Sequence, residues 1–145
     1  MRAVVQRVAE ARVRIGDEVV GEIGPGLCVL LGVAREDDEA GAERLAGRVA
    51  RLRIFENDEG KFDCSVLDTN GAVLVVSNFT LIGDTTKGHR PSFSVAAEPA
   101  QADLVYESFC ATLRELGVPI ETGVFGARMR VEIANDGPVT IVLDP

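Results

Sequence analysis

The sequence predicts one α+β domain with a largely antiparallel sheet and two helices. Three observations favour this class. Many short runs alternate apolar and polar residues, most of these runs are joined by brief Gly-, Asn- or Asp-containing turns, and only two segments show helical spacing. A chain of 145 residues, 46% of them hydrophobic, is long enough to bury one core. We therefore expect residues 1–145 to form a single domain.

The first half of the chain is predicted to contain several strands and one helix. Strands are predicted at residues 2–8, 11–15, 18–23 and 27–33. The last of these runs is continuously apolar, which is typical of a strand buried on both faces. Residues 38–52 then change to helical spacing, after a cap at Asp37 or Asp38.

The second half repeats this pattern. Strands are predicted at residues 53–57, 61–66, 72–81, 120–125, 127–134 and 139–143. A second helix is predicted to open at Pro99 and to end at Gly117. The segment between the last two strands, Asn-Asp-Gly-Pro-Val-Thr at 135–140, consists largely of turn residues and predicts a hairpin.

Composition restricts the possible functions. The net charge of −8 argues against nucleic acid as a general partner, although local basic groups occur at Arg12/Arg14, Lys87–Arg90 and Arg128/Arg130. These groups could equally be solvated surface positions. The three cysteines and one histidine show no metal-binding or redox spacing, and no apolar run is long enough to span a membrane. We expect a soluble, cytoplasmic protein without a metal or cofactor.

Two short stretches are candidates for chemistry. The sequence lacks a Gly-x-Ser-x-Gly elbow, a His-Glu-x-x-His helix and a phosphate-binding glycine loop. A buried strand ends in residues 77–80, Ser-Asn-Phe-Thr, before a loop, and strand ends of this kind often carry function. Their hydroxyl groups could instead cap the strand end. The second stretch is the Gly137-Pro138 step, for which the alternative is an ordinary turn.

At this point the sequence resembles the D-aminoacyl-tRNA deacylase family, nearly from end to end. The blocks that carry the resemblance are MRAVVQRV, GLCVLLGV, LRIFEN, EGKFDCSV, VLVVSNFTL, KGHRPSF, ETGVFGARMRV and NDGPVT, in the family's order. The family's signature Asn-x-Gly-Pro-x-Thr is complete at 135–140. Its other signature, Ser-Gln-Phe-Thr-Leu, is present at 77–81 with Asn78 in place of the usual Gln.

The resemblance implies a fold and a function. The fold would be a barrel-like, mostly antiparallel sheet with helices packed on it, in a homodimer with active sites at the interface. The enzyme would be a carboxylic ester hydrolase that frees a D-amino acid from tRNA, as chiral proofreading in translation. It would reject L-aminoacyl-tRNA, accept glycyl-tRNA, use no cofactor, and bind the acceptor end of tRNA, with no DNA or membrane partner.

The resemblance also assigns site residues. The catalytic group would be Ser77, Asn78, Phe79 and Thr80, with Thr80 acting either as an orienting group or as a nucleophile. Chiral selectivity would come from a cis bond between Gly137 and Pro138, whose carbonyl groups Arg7 would hold. The substrate and tRNA would contact a larger set: Lys87, Arg90, Phe125, Gly126, Met129, Asn135 and Thr140.

Two alternatives remain at this stage. One is a related deacylase that removes a mischarged L-amino acid. The other is a non-catalytic tRNA-binding module. Phe79 and Arg7 favour the D-specific enzyme over the first alternative, and the complete second signature argues against the other.

Overall fold

The computed structural model describes residues 1–145 and contains eight strands and two helices. The strands are β1 (Arg2–Ile15), β2 (Glu18–Ile23), β3 (Gly26–Gly32), β4 (Phe55–Glu56), β5 (Phe62–Cys64), β6 (Ala72–Ser77), β7 (Ile120–Thr122) and β8 (Arg130–Leu143). The helices are α1 (Glu39–Arg51) and α2 (Pro99–Glu115), and a short 3-10 turn covers Phe79–Ile82. Neither helix has the length and apolar character needed to cross a membrane.

Six of the strands form one mixed sheet. Five of them follow the order β2-β1-β3-β6-β7, and the sixth, β8, lies outside this order and pairs with β1. Strand β1 pairs antiparallel with β2, β3 and β8. The β3–β6 and β6–β7 pairs are parallel, because each connection crosses over through a helix. A Cβ atom on Gly21 of β2 would lie 2.4 Å from the carbonyl oxygen of Thr122 in β7, so the sheet nearly closes on itself. The α+β class with a barrel-like sheet is confirmed.

The main core lies between the sheet and the two helices. Its fully buried members include Phe109 and Leu113 of α2, Leu45 of α1, and Val29 and Val75 of the sheet. Burying an aliphatic or aromatic side chain of this size contributes roughly 1.5–3 kcal/mol. This packing fixes the central strands, and therefore the ends from which the loops emerge.

The helix ends follow the sequence signals closely. The Asp38 carboxylate accepts a hydrogen bond of 2.8 Å from the Gly41 N–H and caps α1. Pro99 is the first residue of α2. Gly117, with a φ of +90°, lies just beyond its end. The predicted helices are confirmed to within two residues.

Several strand predictions were too long. The strands predicted at 53–57, 61–66 and 120–125 correspond to the shorter β4, β5 and β7. By contrast, the two strands predicted within residues 2–15 form one unbroken strand. The strand predicted at 72–81 ends at Ser77. The Asn78 N–H makes the last ladder bond, 2.8 Å to the carbonyl of Leu31, because the neighbouring strand β3 ends at Gly32. The chain then turns into the 3-10 segment.

The predicted hairpin at 135–140 is wrong. Strand β8 continues through this segment and pairs with β1 on both sides of it, so the chain does not reverse. Thr140 lies opposite Gln6 and Asn135 opposite Val8, which leaves Asp136 to Val139 facing the single residue Arg7. The turn residues therefore form a bulge in the strand. The bond between Gly137 and Pro138 in this bulge is cis, as the resemblance implied. We call residues 135–139 the bulge.

Candidate active site

A cleft of about 810 Å³ lies beside the end of β6. It brings together two groups of residues that are distant in the sequence: Ser77, Asn78 and Phe79 on one wall, and Phe125, Gly126 and Met129 on the other. Most of the remaining lining residues are apolar. A partly apolar cleft with polar groups at one strand end is the usual form of a small-ligand site.

Two backbone donors at the cleft remain available to a ligand. The N–H groups of Phe79 and Thr80 are the first two of the 3-10 turn, so the i→i−3 pattern of the turn leaves both without a partner in it. The following N–H, that of Leu81, bonds to the carbonyl of Asn78 at 3.3 Å and holds the turn in place. Adjacent N–H groups of this kind can stabilise an oxyanion when they are fixed before the reaction.

The Thr80 hydroxyl is engaged by an amide rather than by a base. It donates to the Asn78 Oδ1 atom at 2.5 Å. An amide oxygen does not accept a proton at neutral pH, so this contact orients the hydroxyl without activating it as a nucleophile. Both side chains are therefore fixed relative to the two free N–H groups.

An aromatic pair forms part of the cleft. The rings of Phe79 and Phe93 meet edge to face, with centroids 5.1 Å apart and planes at 69°. Phe79 is 57% exposed and Phe93 is 37% exposed, so both rings offer surface to a ligand. The sequence analysis assigned no role to Phe93, although an aromatic residue that ends a polar loop was a usable signal.

The opposite wall is fixed by α2 and by a glycine. Phe125 packs against Tyr106 with ring centroids 6.1 Å apart, and the Tyr106 hydroxyl donates to the Val75 carbonyl at 2.9 Å. Burial raises the pKa of the Tyr106 phenol far above its ordinary value, which keeps it a neutral donor. A Cβ atom at Gly123 would lie 2.5 Å from the Met129 sulfur, so the Met129 side chain packs directly on the backbone of this glycine.

Arg35 and Glu98 are the only charged residues that line the cleft. The Arg35 Nε atom donates to the Ala96 carbonyl at 3.3 Å, and another guanidinium nitrogen lies 3.6 Å from the Glu98 carboxylate. Both side chains are mostly exposed, so their attraction is weak and a ligand phosphate can displace it. No sequence signal pointed to this arginine.

The second predicted group is centred on Arg7, the only charged residue in the buried set. One guanidinium nitrogen donates to the Ile54 carbonyl at 2.9 Å, and Nε donates to the Asp136 carbonyl at 3.2 Å. The resemblance implied that Arg7 holds the carbonyl groups of Gly137 and Pro138. In the structure its Nε atom bonds to the carbonyl of Asp136, the residue before Gly137, and a hold on the two following carbonyls remains a prediction.

Asn135 and Thr140 fasten the bulge rather than line the cleft. The Asn135 amide donates to the carbonyls of Arg7 and Val139 at 2.9 and 3.0 Å, and so ties β1 to the far side of the bulge. The Thr140 hydroxyl donates to the Asn135 Oδ1 atom at 3.4 Å. A substrate contact for these two residues remains a prediction.

Within one chain the predicted site residues therefore lie in three places: the cleft, the region of the bulge, and the loop 83–93. Arg7, Gly137 and Pro138 do not line the cleft, and neither do Lys87 and Arg90 of the exposed loop 83–93. The cleft contains the catalytic group except Thr80, together with Phe125, Gly126 and Met129. The structure brings together no group of three His, Cys, Asp or Glu side chains that could hold a metal ion.

Fold and cleft together define a small α+β domain with a partly apolar cleft at the end of a parallel strand. The family model for D-Tyr-tRNA(Tyr) deacylase matches residues 4–144. The chain belongs to this family, and it is a hydrolase.

Individual relatives agree with this assignment. The D-aminoacyl-tRNA deacylase of Symbiobacterium thermophilum is 58% identical over 144 residues, which cover 99% of this chain and 95% of that protein. The D-aminoacyl-tRNA deacylase of Thermus aquaticus is 56% identical, with the same coverage of both chains.

Two solved structures share the fold. The c-Myc DNA unwinding element binding protein superposes with a TM-score of 0.95 at 44% identity, and the match covers 100% of this chain and 99% of that one. A probable eukaryotic D-amino acid tRNA deacylase gives a TM-score of 0.82 at 18% identity over 99% and 98% of the two chains, which shows likeness of fold alone.

Proposed function

We propose that this chain hydrolyses the ester bond of D-aminoacyl-tRNA and releases a D-amino acid and tRNA. L-Aminoacyl-tRNA would be left intact, and glycyl-tRNA would be cleaved. The observation that carries the proposal is the pair of free N–H groups of Phe79 and Thr80, at the edge of a cleft large enough for an aminoacylated nucleoside. Family membership supplies the class of substrate.

The reaction would proceed by direct attack of water. The two N–H groups would receive the ester carbonyl oxygen as it gains negative charge. The water oxygen bonds to the carbonyl carbon and the bond to the ribose oxygen breaks. The proton lost by water ends on that leaving oxygen. The neighbouring ribose hydroxyl of the tRNA would help to move this proton, so that no side-chain nucleophile is needed. Thr80 would orient Asn78 and the substrate.

Chiral selection would come from backbone atoms of the bulge. The two enantiomers differ in the position of Cβ, so rejection of every L-residue requires a rigid obstacle at Cβ itself. The carbonyl groups of Gly137 and Pro138 would form this obstacle, and glycine would pass because it has no Cβ. Arg7 and Asn135 give the bulge the rigidity that such an obstacle needs.

The filter would act in a second copy of the chain. Gly137 and Pro138 lie outside the cleft of their own chain, so a homodimer in which each bulge enters the other cleft would complete two sites. Lys87 and Arg90, on the exposed loop, would contact the acceptor end of the tRNA. Local contacts of this kind are compatible with a net charge of −8, because only one end of the tRNA is bound. The proposed location is the cytoplasm, where aminoacyl-tRNA is used.

The deciding experiment compares hydrolysis of D-tyrosyl-tRNA and L-tyrosyl-tRNA under identical conditions. We expect rapid loss of the D-ester and no loss of the L-ester above the rate without enzyme. Leu104→Ala is a suitable control variant, because Leu104 is 63% exposed and lies outside the cleft. Equal rates for the two esters, or preferred cleavage of the L-ester, would reject the D-specific enzyme. No cleavage of either ester would reject D-aminoacyl-tRNA as the substrate.

The dimer is tested separately by mixing variants. Phe79→Ala disables the cleft, and Gly137→Val fills the bulge, where a Cβ would already meet Val139 at 2.7 Å. Neither variant alone should cleave D-tyrosyl-tRNA selectively. A mixture should regain part of the selectivity, because a mixed dimer contains one intact site. If mixing restores nothing while sedimentation shows dimers, the bulge does not act in the partner's cleft.

A further inference from the structure

We propose that the β4–β5 hairpin (residues 55–64) positions the bulge through Arg7, with Phe62 as the main positioning residue. This inference rests on the proposed chiral filter and adds a second layer to it. The hairpin contributes no residue to the cleft. Its contribution would be to fix the orientation and position of the Arg7 guanidinium group, which in turn holds the bulge in place.

The side chain of Arg7 lies between the bulge and the hairpin region. On the bulge side, Nε donates to the Asp136 carbonyl and lies 3.7 Å from the Asp136 carboxylate. On the other side, the guanidinium carbon lies 5.6 Å from the centroid of the Phe62 ring, and a terminal nitrogen lies 3.8 Å from the Glu56 carboxylate. The same nitrogen donates to the Ile54 carbonyl, just before the hairpin.

These contacts restrict Arg7 in complementary ways. A single hydrogen bond to Ile54 fixes one nitrogen but lets the planar group swing about it. The Phe62 ring, at cation–π distance, limits that motion. The Glu56 carboxylate balances the positive charge of the Arg7 side chain, which is only 10% exposed. With these contacts in place, Nε remains aimed at the Asp136 carbonyl, one residue before Gly137.

The hairpin is itself arranged to present Phe62. Its two strands pair over only two residue pairs, so the ladder alone is too short to be rigid. Asn57 compensates, because its Oδ1 atom accepts hydrogen bonds from the N–H groups of Glu59 and Lys61 and shapes the turn. Phe62 follows directly. It is 54% exposed, and it has no aromatic partner in the chain. Its contact with Arg7 gives this exposed ring a specific role.

The test is a double-mutant cycle read as the ratio of D- to L-tyrosyl-tRNA hydrolysis rates. Phe62→Leu keeps an apolar side chain but removes the ring face, and we expect the D/L ratio to fall about two- to fivefold, as loss of one partly exposed cation–π contact implies. Phe62→Tyr keeps the face and should retain the parent ratio. In an Arg7→Met background, where the cation is already lost, Phe62→Leu should have no further effect.

Each outcome separates this inference from the function on which it rests. If the parent discriminates and Phe62→Leu keeps its ratio, or lowers only the melting temperature, the positioning role is wrong and the filter stands. If Phe62→Leu lowers the ratio equally in the Arg7→Met background, Phe62 acts without Arg7, for instance by touching the substrate, and the inference is overturned. If the parent does not discriminate, both proposals fail.

Discussion

Asn135→Asp exchanges two hydrogen-bond donors for a carboxylate of the same shape. The Asn135 amide nitrogen faces two backbone carbonyl oxygens, those of Arg7 at 2.9 Å and Val139 at 3.0 Å. Because both partners can only accept, the orientation of the amide is determined by chemistry. After the exchange, an anionic oxygen would face two carbonyl oxygens, and both hydrogen bonds would be lost.

The expected loss of stability follows from those two contacts. A neutral hydrogen bond contributes about 0.5–1.5 kcal/mol, and an acceptor left unsatisfied in a partly buried place adds to the cost. Two such bonds predict a decrease of about 2–4 kcal/mol in the free energy of unfolding at pH 7. With a urea dependence of about 2 kcal/mol per molar, the unfolding midpoint should fall by roughly 1–2 M.

The assay is urea unfolding of the parent, Asn135→Asp and a control, Asn70→Asp. Asn70 lies in an exposed turn with a φ of +53°, which aspartate also tolerates, and its side chain makes no hydrogen bond. The deficit at Asn135 should shrink as the pH falls from 7 towards about 4, because two facing carbonyl oxygens raise the pKa of the new carboxyl in the folded state and its protonated form can donate to one of them. Equal midpoints for the two variants at pH 7 would refute the view that this amide fastens the bulge.

Three further predictions concern the cleft and the core. Thr80→Ala should retain D-tyrosyl-tRNA hydrolysis within about tenfold, since its hydroxyl touches an amide and no base; abolished activity in a folded protein would restore the nucleophile hypothesis. Arg35→Gln should raise KM for aminoacyl-tRNA. It should also reduce the slope of log affinity against log salt concentration by about 0.7, the value expected for one phosphate contact on a single strand. An unchanged slope would exclude a phosphate contact. Burial raises the pKa of Cys28 to about 12 and that of Cys110 to about 11. A thiol reagent at pH 8 should therefore modify only the half-buried Cys64 in the folded protein. Rapid reaction of a second thiol would contradict the packing.

The features that depend on local chemistry could be predicted from the sequence. Asp38, Pro99 and Gly117 mark helix ends because each acts on the backbone within a few residues of itself. The α+β class followed from these local signals together.

The features that depend on distant pairing could not be predicted. The bulge contains the residues of a hairpin turn, and only the continued pairing of β8 with β1 prevents the chain from reversing there. The 3-10 turn after Ser77 forms because β3, the neighbouring strand, ends at Gly32, some 45 residues earlier, and provides no further backbone hydrogen-bond partners. Arg35 reaches the cleft only through the tertiary fold, so its position in the sequence carries no sign of it.

The bulge also affects how the chain avoids wrong partners. Strand β8 has 14 residues and pairs only with β1, so its other edge is open along its whole length. A long, regular, open edge invites strands of other molecules and promotes aggregation. Here Pro138 has no N–H to offer, and the extra residues interrupt the regular spacing between Asn135 and Thr140. The edge is thereby divided into two short runs, each a poor template for growth of a fibril. The segment proposed to test the handedness of the substrate therefore also protects the solubility of the chain that carries it.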